Sequence, residues 1–250
     1  MPKVFVHGVP ETNALWGPLF DELSRLGTND LVSLSPPGFG AHVPAGFEAT
    51  QTGYRSWLIQ QLENLGGNVD IVGHDWGAAH VYGVLAERPD LLRSWSADCA
   101  GLIHHDYVWH DGAQAWQTPE VGEQAVEAMF GLPQDQMVEM FMSLGVPKEI
   151  ASELASQRDP DMGKCVLSLY RSAAQPQMQK LGEHLKTTGQ RPGMVFIATD
   201  DHYAGTPEMC VSVASDLGAS VHTLEGQGHW WMFEGAASAA QALQSHWARA

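Results

Sequence analysis

The chain has 250 residues, 44% hydrophobic and 17% charged, which suits one large folded domain, or a domain with an inserted lid, and excludes a disordered or fibrous protein. Its formal net charge of −16 repels phosphate backbones and anionic lipids, so we expect no nucleic-acid partner. Three widely spaced cysteines indicate neither a disulfide framework nor a zinc knuckle, and no segment has the roughly 18 apolar residues of a membrane span, so we expect a cytoplasmic protein with no membrane contact.

Short apolar runs alternate with helical patterns in the first hundred residues. Strands are predicted at 4–6 and 31–34, with a helix between them that has Pro18 in its first turn and Gly27 at its end. A second helix follows, with apolar residues at helical spacing between 54 and 65. A strand at 69–72, a helical face from 78 to 85 and a strand at 95–100 complete this half. The alternation predicts an α/β fold with a mostly parallel sheet.

The alternation stops between about 103 and 190, where helical pieces are separated by proline and glycine. It resumes with a strand at 194–197, a helix that opens at Thr206-Pro207, a strand at 220–224 and a final helix from about Gly235. We therefore predict a core of residues 1–102 and 191–250, with a helical cap of residues 103–190 inserted. The large apolar side chains of the cap are expected to form its own core more often than a substrate cavity; they are Met129, Phe130, Met137, Met140, Phe141 and Leu144.

The segment Gly73-His74-Asp75-Trp76-Gly77 directly follows the strand at 69–72 and precedes a helix. A glycine-flanked turn between a strand and a helix is typical of a nucleophile elbow, which lifts one side chain above the sheet edge. The lifted residue here is Asp75. A carboxylate attacks carbon directly and forms an ester with it, whereas a serine at this point would favour an ordinary esterase or lipase.

The partners that an aspartate nucleophile needs also occur in the expected places. His229 follows the last predicted strand and is the candidate base, and Asp200 and Asp201 both follow the strand at 194–197, where the acid that orients the base is expected. The order nucleophile, acid, histidine is that of the elbow fold. The backbone N–H groups of Val9 and Trp76 are the expected oxyanion donors.

Four segments together resemble the epoxide hydrolase branch of the α/β-hydrolase superfamily. They are His7-Gly8-Val9-Pro10, Gly73-His74-Asp75-Trp76-Gly77, Leu169-Tyr170-Arg171 and Gly228-His229-Trp230. The resemblance implies the α/β-hydrolase fold. The chain departs from the family pattern in lacking the usual N-terminal hairpin, so we expect about six strands. The resemblance also implies that Asp201 is the acid, that Tyr170 donates a hydrogen bond to the epoxide oxygen, and that an apolar epoxide is converted to a diol.

The remaining substrate-binding candidates lie beside these motifs and in the cap. They are His7, His74, Tyr107, Trp109 and Trp116. A second cap tyrosine stays open, because Tyr107 lies near the start of the cap but the match through 116–119 puts Gly112 at the position of that tyrosine. We expect a small apolar neutral substrate, water as the second reactant, no cofactor, and a monomer or homodimer.

Two other functions remain open. Haloalkane dehalogenases share the aspartate, the histidine and the tryptophan at position 76, but they often have asparagine where this chain has Val9, so Trp109 or Trp116 would have to supply the second N–H to a halide. A haloacid substrate is disfavoured. Haloacetate dehalogenases have an arginine after the aspartate to hold the carboxylate of the substrate, and this chain has Trp76 there. A non-catalytic or specialised protein of the same fold is the third possibility.

A run of histidines at 104–110 offers imidazole and carboxylate ligands of the kind that bind metals. It has neither a helical H-x-x-x-H pattern nor a cysteine pair. We therefore interpret it as cap surface or as polar groups at the mouth of the pocket, and we predict no metal.

Overall fold

Six strands form one parallel sheet within residues 1–188 and 190–250, which the computed structural model describes. They are β1 (Lys3–Val6), β2 (Leu31–Leu34), β3 (Val69–Gly73), β4 (Leu92–Ala97), β5 (Gly193–Ala198) and β6 (Ser220–Leu224). Their spatial order is β2-β1-β3-β4-β5-β6. Because β2 lies on one side of β1 and β3 on the other, the order reverses at β1. Open parallel sheets bind ligands at such a reversal, outside the carboxyl ends of the strands.

Helices connect the strands, as the alternating pattern predicts. Those outside the long segment between β4 and β5 are α1 (Gly17–Arg25), α2 (Gln51–Asn64), α3 (Trp76–Glu87), α10 (Pro207–Asp216) and α11 (Ala236–Arg249). Those within it are α4 (Asp111–Gln117), α5 (Val121–Phe130), α6 (Gln134–Ser143), α7 (Lys148–Ser156), α8 (Met162–Ser172) and α9 (Gln177–Leu185). Among the described residues, no helix combines the length and apolarity that crossing a bilayer requires.

Helices cover both faces of the sheet. Val4 and Val6 belong to the core that includes α2 and α3, whereas Phe5 belongs to the core on the opposite face. There Phe5 contacts Trp16, at 5.3 Å between ring centroids, and Trp247 of α11, at 6.5 Å. A strand that is buried on both faces has a continuous apolar run rather than an alternating one, which is why β1 is recognisable in the sequence.

Helices α6 and α7 pack against each other and have an apolar core of their own, separate from the two cores of the sheet. Its buried members are Met137, Phe141, Val146, Ala151, Leu154 and Ala155. The Arg158 guanidinium donates to the carbonyl oxygens of Phe130 and Leu132, at 2.7 and 3.0 Å, and so joins the two ends of this unit. We call residues 134–156 the α6–α7 hairpin.

The α/β-hydrolase fold with a six-stranded, mostly parallel sheet is confirmed. The predicted strands at 31–34 and 220–224 coincide with β2 and β6. The strand predicted at 95–100 is displaced, because β4 ends at Ala97 and a short 3-10 turn occupies Ala100–Ile103. Cys99 has a φ of 49°, which an extended strand does not allow.

Candidate functional site

Asp75 lies between the last residue of the central strand β3 and the first turn of α3. It has a φ of 52° and a ψ of −120°, a strained conformation for a residue other than glycine. Gly77 makes this tight turn possible, because a Cβ atom there would lie 2.0 Å from the carbonyl oxygen of Val6. The turn directs the Asp75 side chain away from the sheet, as the elbow motif predicts.

The loop after β1 lies beside the elbow because β1 and β3 are neighbours, with Val6 in register with Gly73. The Val9 N–H donates a hydrogen bond of 2.9 Å to Asp75 Oδ1. A Cβ atom on Gly8 would lie 2.2 Å from that same oxygen, so only glycine allows this close approach. One oxygen of Asp75 is thus held by a backbone donor, and the other is free to face the cavity.

His229 and Asp201 complete a chain of contacts with Asp75. His229 Nε2 lies 3.8 Å from Asp75 Oδ2, and His229 Nδ1 is hydrogen-bonded to Asp201 Oδ2 at 2.8 Å. The N–H of Tyr203 donates to the other oxygen of Asp201 at 2.8 Å, which fixes the carboxylate. Asp200, the alternative acid, is instead hydrogen-bonded to the hydroxyl of Thr199. The predicted residues Asp75, His229 and Asp201 therefore form one chain of contacts, and of the two candidate acids it is Asp201 that contacts His229.

A cavity of about 130 Å³ opens next to Asp75 and His229. This is well above the ~10–15 Å³ that one water molecule requires, so the cavity admits a small organic molecule. The other lining residues are Val9, Pro10, His110, Trp116, Met129, Phe141, Leu144, Tyr170, Tyr203 and Trp230. None of the residues lining it is Lys or Arg. An apolar wall with a few convergent polar groups suits a neutral substrate better than an anionic one.

Tyr170 of α8 lines this cavity, and its ring packs against three indole rings. Its ring centroid lies 5.0 Å from Trp76, 5.6 Å from Trp109 and 4.8 Å from Trp116. Burial and the nearby Asp75 carboxylate raise the pKa of Tyr170 well above its usual range. The phenol therefore keeps its proton at neutral pH and is available as a hydrogen-bond donor.

Four of the predicted substrate-binding residues do not line the cavity. His7 is fully buried and bonded to the Gly8 carbonyl oxygen and to Ser35, and His74 is enclosed between carboxylates. The Tyr107 hydroxyl donates to the carbonyl oxygen of Tyr203, and Trp109 is stacked on Trp76. Of the predicted set, Tyr170 and Trp116 line the cavity, together with Met129, Phe141 and Leu144 of the segment between β4 and β5.

Two carboxylates that the sequence motifs do not indicate lie under the site. Glu11 accepts a hydrogen bond from the Gly8 N–H at 3.1 Å, and Asp98 accepts one from the Asp75 N–H at 2.9 Å. His74 bridges them, with its Nε2 3.3 Å from Glu11 and its Nδ1 2.5 Å from Asp98. All three side chains are buried. A signal for Glu11 was its place three residues after Gly8, whereas Asp98 stands at the end of a strand where no motif marks it.

The carboxylates of the site stabilise the charged forms of His74 and His229. Burial disfavours the charged form of His74, but Asp98 and Glu11 outweigh it and raise the pKa of His74 well above its usual range. Burial likewise opposes the protonation of His229, but the Asp201 carboxylate, and to a smaller extent Asp75, raise the pKa of His229 to about 9. Burial raises the pKa of Asp75 itself to about 6, against the lowering effect of His229. At neutral pH the site therefore holds an Asp75 carboxylate beside a charged His229.

Several groups of three potential metal ligands occur among the described residues. Three of them lie at the site and a fourth, His104-His105-Asp106, lies at the surface; the three are Glu11-His74-His229, His74-Asp98-Cys99 and Cys99-Asp201-His229. In the site the ring nitrogens of His74 and His229 already contact carboxylates. Hydrogen bonding within the site thus accounts for these residues without an ion.

Comparisons with known proteins agree with the fold. The sequence model of the alpha/beta hydrolase family matches residues 4–242. No curated protein sequence matches the chain significantly.

Several solved structures are similar over nearly the whole chain. The epoxide hydrolase CorEH has 14% identity and a TM-score of 0.78, with 99% of this chain and 91% of that chain covered. A thermophilic esterase from Thermogutta terrifontis has 17% identity and a TM-score of 0.75, over 100% and 89%. The haloalkane dehalogenase DbeA from Bradyrhizobium elkani has 17% identity and a TM-score of 0.72, over 100% and 91%. At these identities the similarities concern the fold and leave the substrate open.

Proposed function

Because the chain belongs to the alpha/beta hydrolase family, we propose that it is a hydrolase that converts an apolar epoxide to a diol through an ester on Asp75. The observation that carries this proposal is one cavity whose wall contains a carboxylate, a protonated phenol and an imidazole: Asp75, Tyr170 and His229. These are the groups that covalent epoxide hydrolysis needs as nucleophile, acid and base.

In the first step Asp75 Oδ2 attacks the less hindered epoxide carbon, and the bond from that carbon to the ring oxygen breaks. Asp75 Oδ1 stays on the Val9 N–H, which leaves Oδ2 free for the attack. The phenol of Tyr170 donates to the ring oxygen as negative charge develops there. The product of this step is a hydroxyalkyl ester of Asp75.

In the second step His229 Nε2 takes a proton from water, and the resulting hydroxide attacks Cγ of Asp75. The negative charge then falls on the ester carbonyl oxygen, where the N–H groups of Val9 and Trp76 act as oxyanion donors. Collapse releases the diol and restores the carboxylate. The proton that Tyr170 gives to the alkoxide in the first step is replaced, through water, by the proton of charged His229, so that His229 is a neutral base once the ester has formed. Collapse passes the proton of the added hydroxide to the departing alkoxide, and His229 ends the cycle charged, as it began.

The direct test of the function is product analysis. The protein is incubated with a styrene-oxide-type epoxide and, separately, with a bromoalkane of similar size, and the diol and bromide are measured. Diol formation above the rate without protein is the expected result. Bromide release without diol formation would support the dehalogenase function, and neither product across a broad panel of both classes would contradict an aspartate-nucleophile hydrolase.

Dehalogenation is the second candidate because one observation favours it. The Trp109 indole N–H is buried and has no hydrogen-bond partner among the described residues, as a halide donor requires before substrate binds. Trp109 does not line the cavity, however; its ring contacts that of Tyr170, which does. A phenol at the cavity wall favours an oxygen leaving group over a halide.

Tyr170→Phe distinguishes the two leaving groups. It should lower the rate of epoxide opening about 100-fold, because the alkoxide loses its proton donor, and it should leave bromoalkane turnover nearly unchanged. Rates are measured at saturating substrate. Tyr54→Phe is the matched control, since the Tyr54 hydroxyl donates to the backbone of Pro37 away from the cavity. Equal losses on both substrates would show that Tyr170 only shapes the cavity.

The value of kcat/KM for the epoxide should fall as the pH is lowered through about 6. Asp75 attacks only as the carboxylate, and burial raises its pKa to about 6, so protonation removes the nucleophile. Below that point we expect a loss of about tenfold per pH unit, after subtraction of the acid-catalysed rate without protein. A profile that stays flat from pH 7 to pH 5 would contradict the raised pKa of Asp75.

A further inference from the structure

Asp98 occupies a special place at the carboxyl edge of the sheet. It directly follows β4, whose last residue Ala97 is in register with Gly73 of β3, so Asp98 lies beside His74 and the elbow. Its side chain is buried, with 3% of the residue exposed. The next residue, Cys99, has a φ of 49°, so positive φ angles outside glycine occur at the ends of both neighbouring strands. Such strain persists only where the surroundings fix it.

The Asp98 carboxylate accepts three hydrogen bonds from two different loops. Oδ1 accepts from the Asp75 N–H at 2.9 Å, and Oδ2 contacts His74 Nδ1 at 2.5 Å and accepts from the Trp231 indole N–H at 2.6 Å. Trp231 belongs to the loop that carries His229. A single carboxylate thus connects the strained nucleophile residue to the loop of the base.

The pattern of contacts argues against two simpler roles. Asp98 is not the acid partner of the base, because His229 Nδ1 is bonded to Asp201 and not to Asp98. A side chain that served only to pair with buried His74 would not need the Asp75 N–H. That N–H belongs to the residue with the strained backbone, and its hydrogen bond directly opposes relaxation of the turn.

We propose that Asp98 is a positioning residue, which holds Asp75 in its attacking conformation and keeps the elbow in register with the His229 loop through Trp231. This inference rests on the proposed role of Asp75 as nucleophile. It does not depend on whether the leaving group is an epoxide oxygen or a halide, because both reactions begin with attack by the same oxygen.

Asp98→Asn tests the proposal, with Tyr82→Phe as its matched control. The carboxylate accepts hydrogen bonds through both of its oxygens. Asparagine has one amide oxygen, and its amide nitrogen accepts none, so it cannot accept all three hydrogen bonds from Asp75, His74 and Trp231. The Tyr82 hydroxyl donates to the backbone carbonyl oxygen of Asp98 at 2.9 Å, so Tyr82→Phe removes a buried hydrogen bond to the same residue but leaves the carboxylate intact.

Both substitutions are made in a His229→Gln background, in which the ester accumulates, and ester formation is followed by rapid quenching and intact mass. The amplitude of ester formation reports the fraction of folded protein. The rate constant reports how well the Asp75 carboxylate is aligned for attack. We expect Asp98→Asn to lower the rate constant at saturating substrate about 100-fold and to change the half-saturating concentration less than about threefold. Tyr82→Phe should change the rate constant less than about threefold. A loss of amplitude alone in Asp98→Asn would overturn the positioning role.

A crystal structure of Asp98→Asn decides the matter without any substrate. We expect the φ of Asp75 to leave the positive region, or the hydrogen bond from Val9 N to Asp75 Oδ1 to lengthen beyond hydrogen-bonding distance. An unchanged elbow would overturn the inference. If the His229→Gln protein forms no ester with any electrophile, the proposed function fails, and this structure alone then tests the role of Asp98.

Discussion

Asp75→Ala is expected to abolish turnover, with a loss of about 10⁴-fold or more in kcat. Removal of a covalent nucleophile leaves only the binding and polarising groups of the site, which cannot form the ester. Diol formation is measured at saturating epoxide, and intact mass should show no adduct. Asp200→Ala is the control, because Asp200 follows the same strand as Asp201 but contacts Thr199.

Isotope labelling gives the same prediction a second readout. During a single turnover in ¹⁸O-labelled water, hydroxide attacks Cγ of Asp75, so the heavy oxygen should enter the peptide that contains Asp75. The diol of the first turnover should carry the unlabelled carboxylate oxygen. Label that appears only in the diol would indicate direct attack of water on the epoxide, with Asp75 as a general base.

His229→Gln is expected to stop the reaction at the ester. Glutamine has no basic nitrogen that accepts a proton from water, so hydrolysis of the ester should slow about 10³-fold while ester formation continues. The protein should form one equivalent of adduct per site, and product release should cease after that. Peptide mapping should locate the adduct on the segment that contains Asp75.

The mass of the adduct identifies the leaving group. An opened epoxide adds its full mass to the carboxyl group, whereas a bromoalkane adds its mass less that of hydrogen bromide. His222→Gln is the control for a changed histidine, since His222 lies on β6 and bonds to Ser238. A His229→Gln protein that turns over repeatedly would show that another group activates the water.

The sequence was sufficient for the features that depend on local pattern. Strands buried on both faces appear as apolar runs, and the elbow of Asp75 appears as glycines at fixed spacing around a strand end. His229 and Asp201 follow from the same topology, because parallel strands present their carboxyl ends at one edge. In the structure His229 lies next to Asp75, and Asp201 lies next to His229.

Features that depend on the direction of a side chain could not be predicted from the local sequence pattern. Tyr107 and Trp109 are aromatic, as a substrate pocket would require, but neither side chain lines the cavity. The Tyr107 hydroxyl donates to the backbone of Tyr203, and the Trp109 ring stacks on Trp76. Tyr203 itself lies at the cavity wall because its backbone N–H is held by Asp201. Asp98 accepts a hydrogen bond from the N–H of Asp75, which lies 23 positions earlier in the chain at the end of the neighbouring strand. Sequence periodicity does not predict contacts over such a separation.

The separate core of the α6–α7 hairpin has a consequence for how specificity evolves. This unit supplies Phe141 and Leu144 to the reaction cavity, yet its apolar cluster is distinct from the two cores of the sheet. Phe141 is a buried member of that cluster, and the cluster packs against Trp230, whose ring lies 5.1 Å from that of His229, whereas Leu144 lines the cavity without belonging to the cluster. Changes of side-chain size at Leu144 are therefore the ones with which directed evolution would alter substrate preference at the lower risk to the packing around His229.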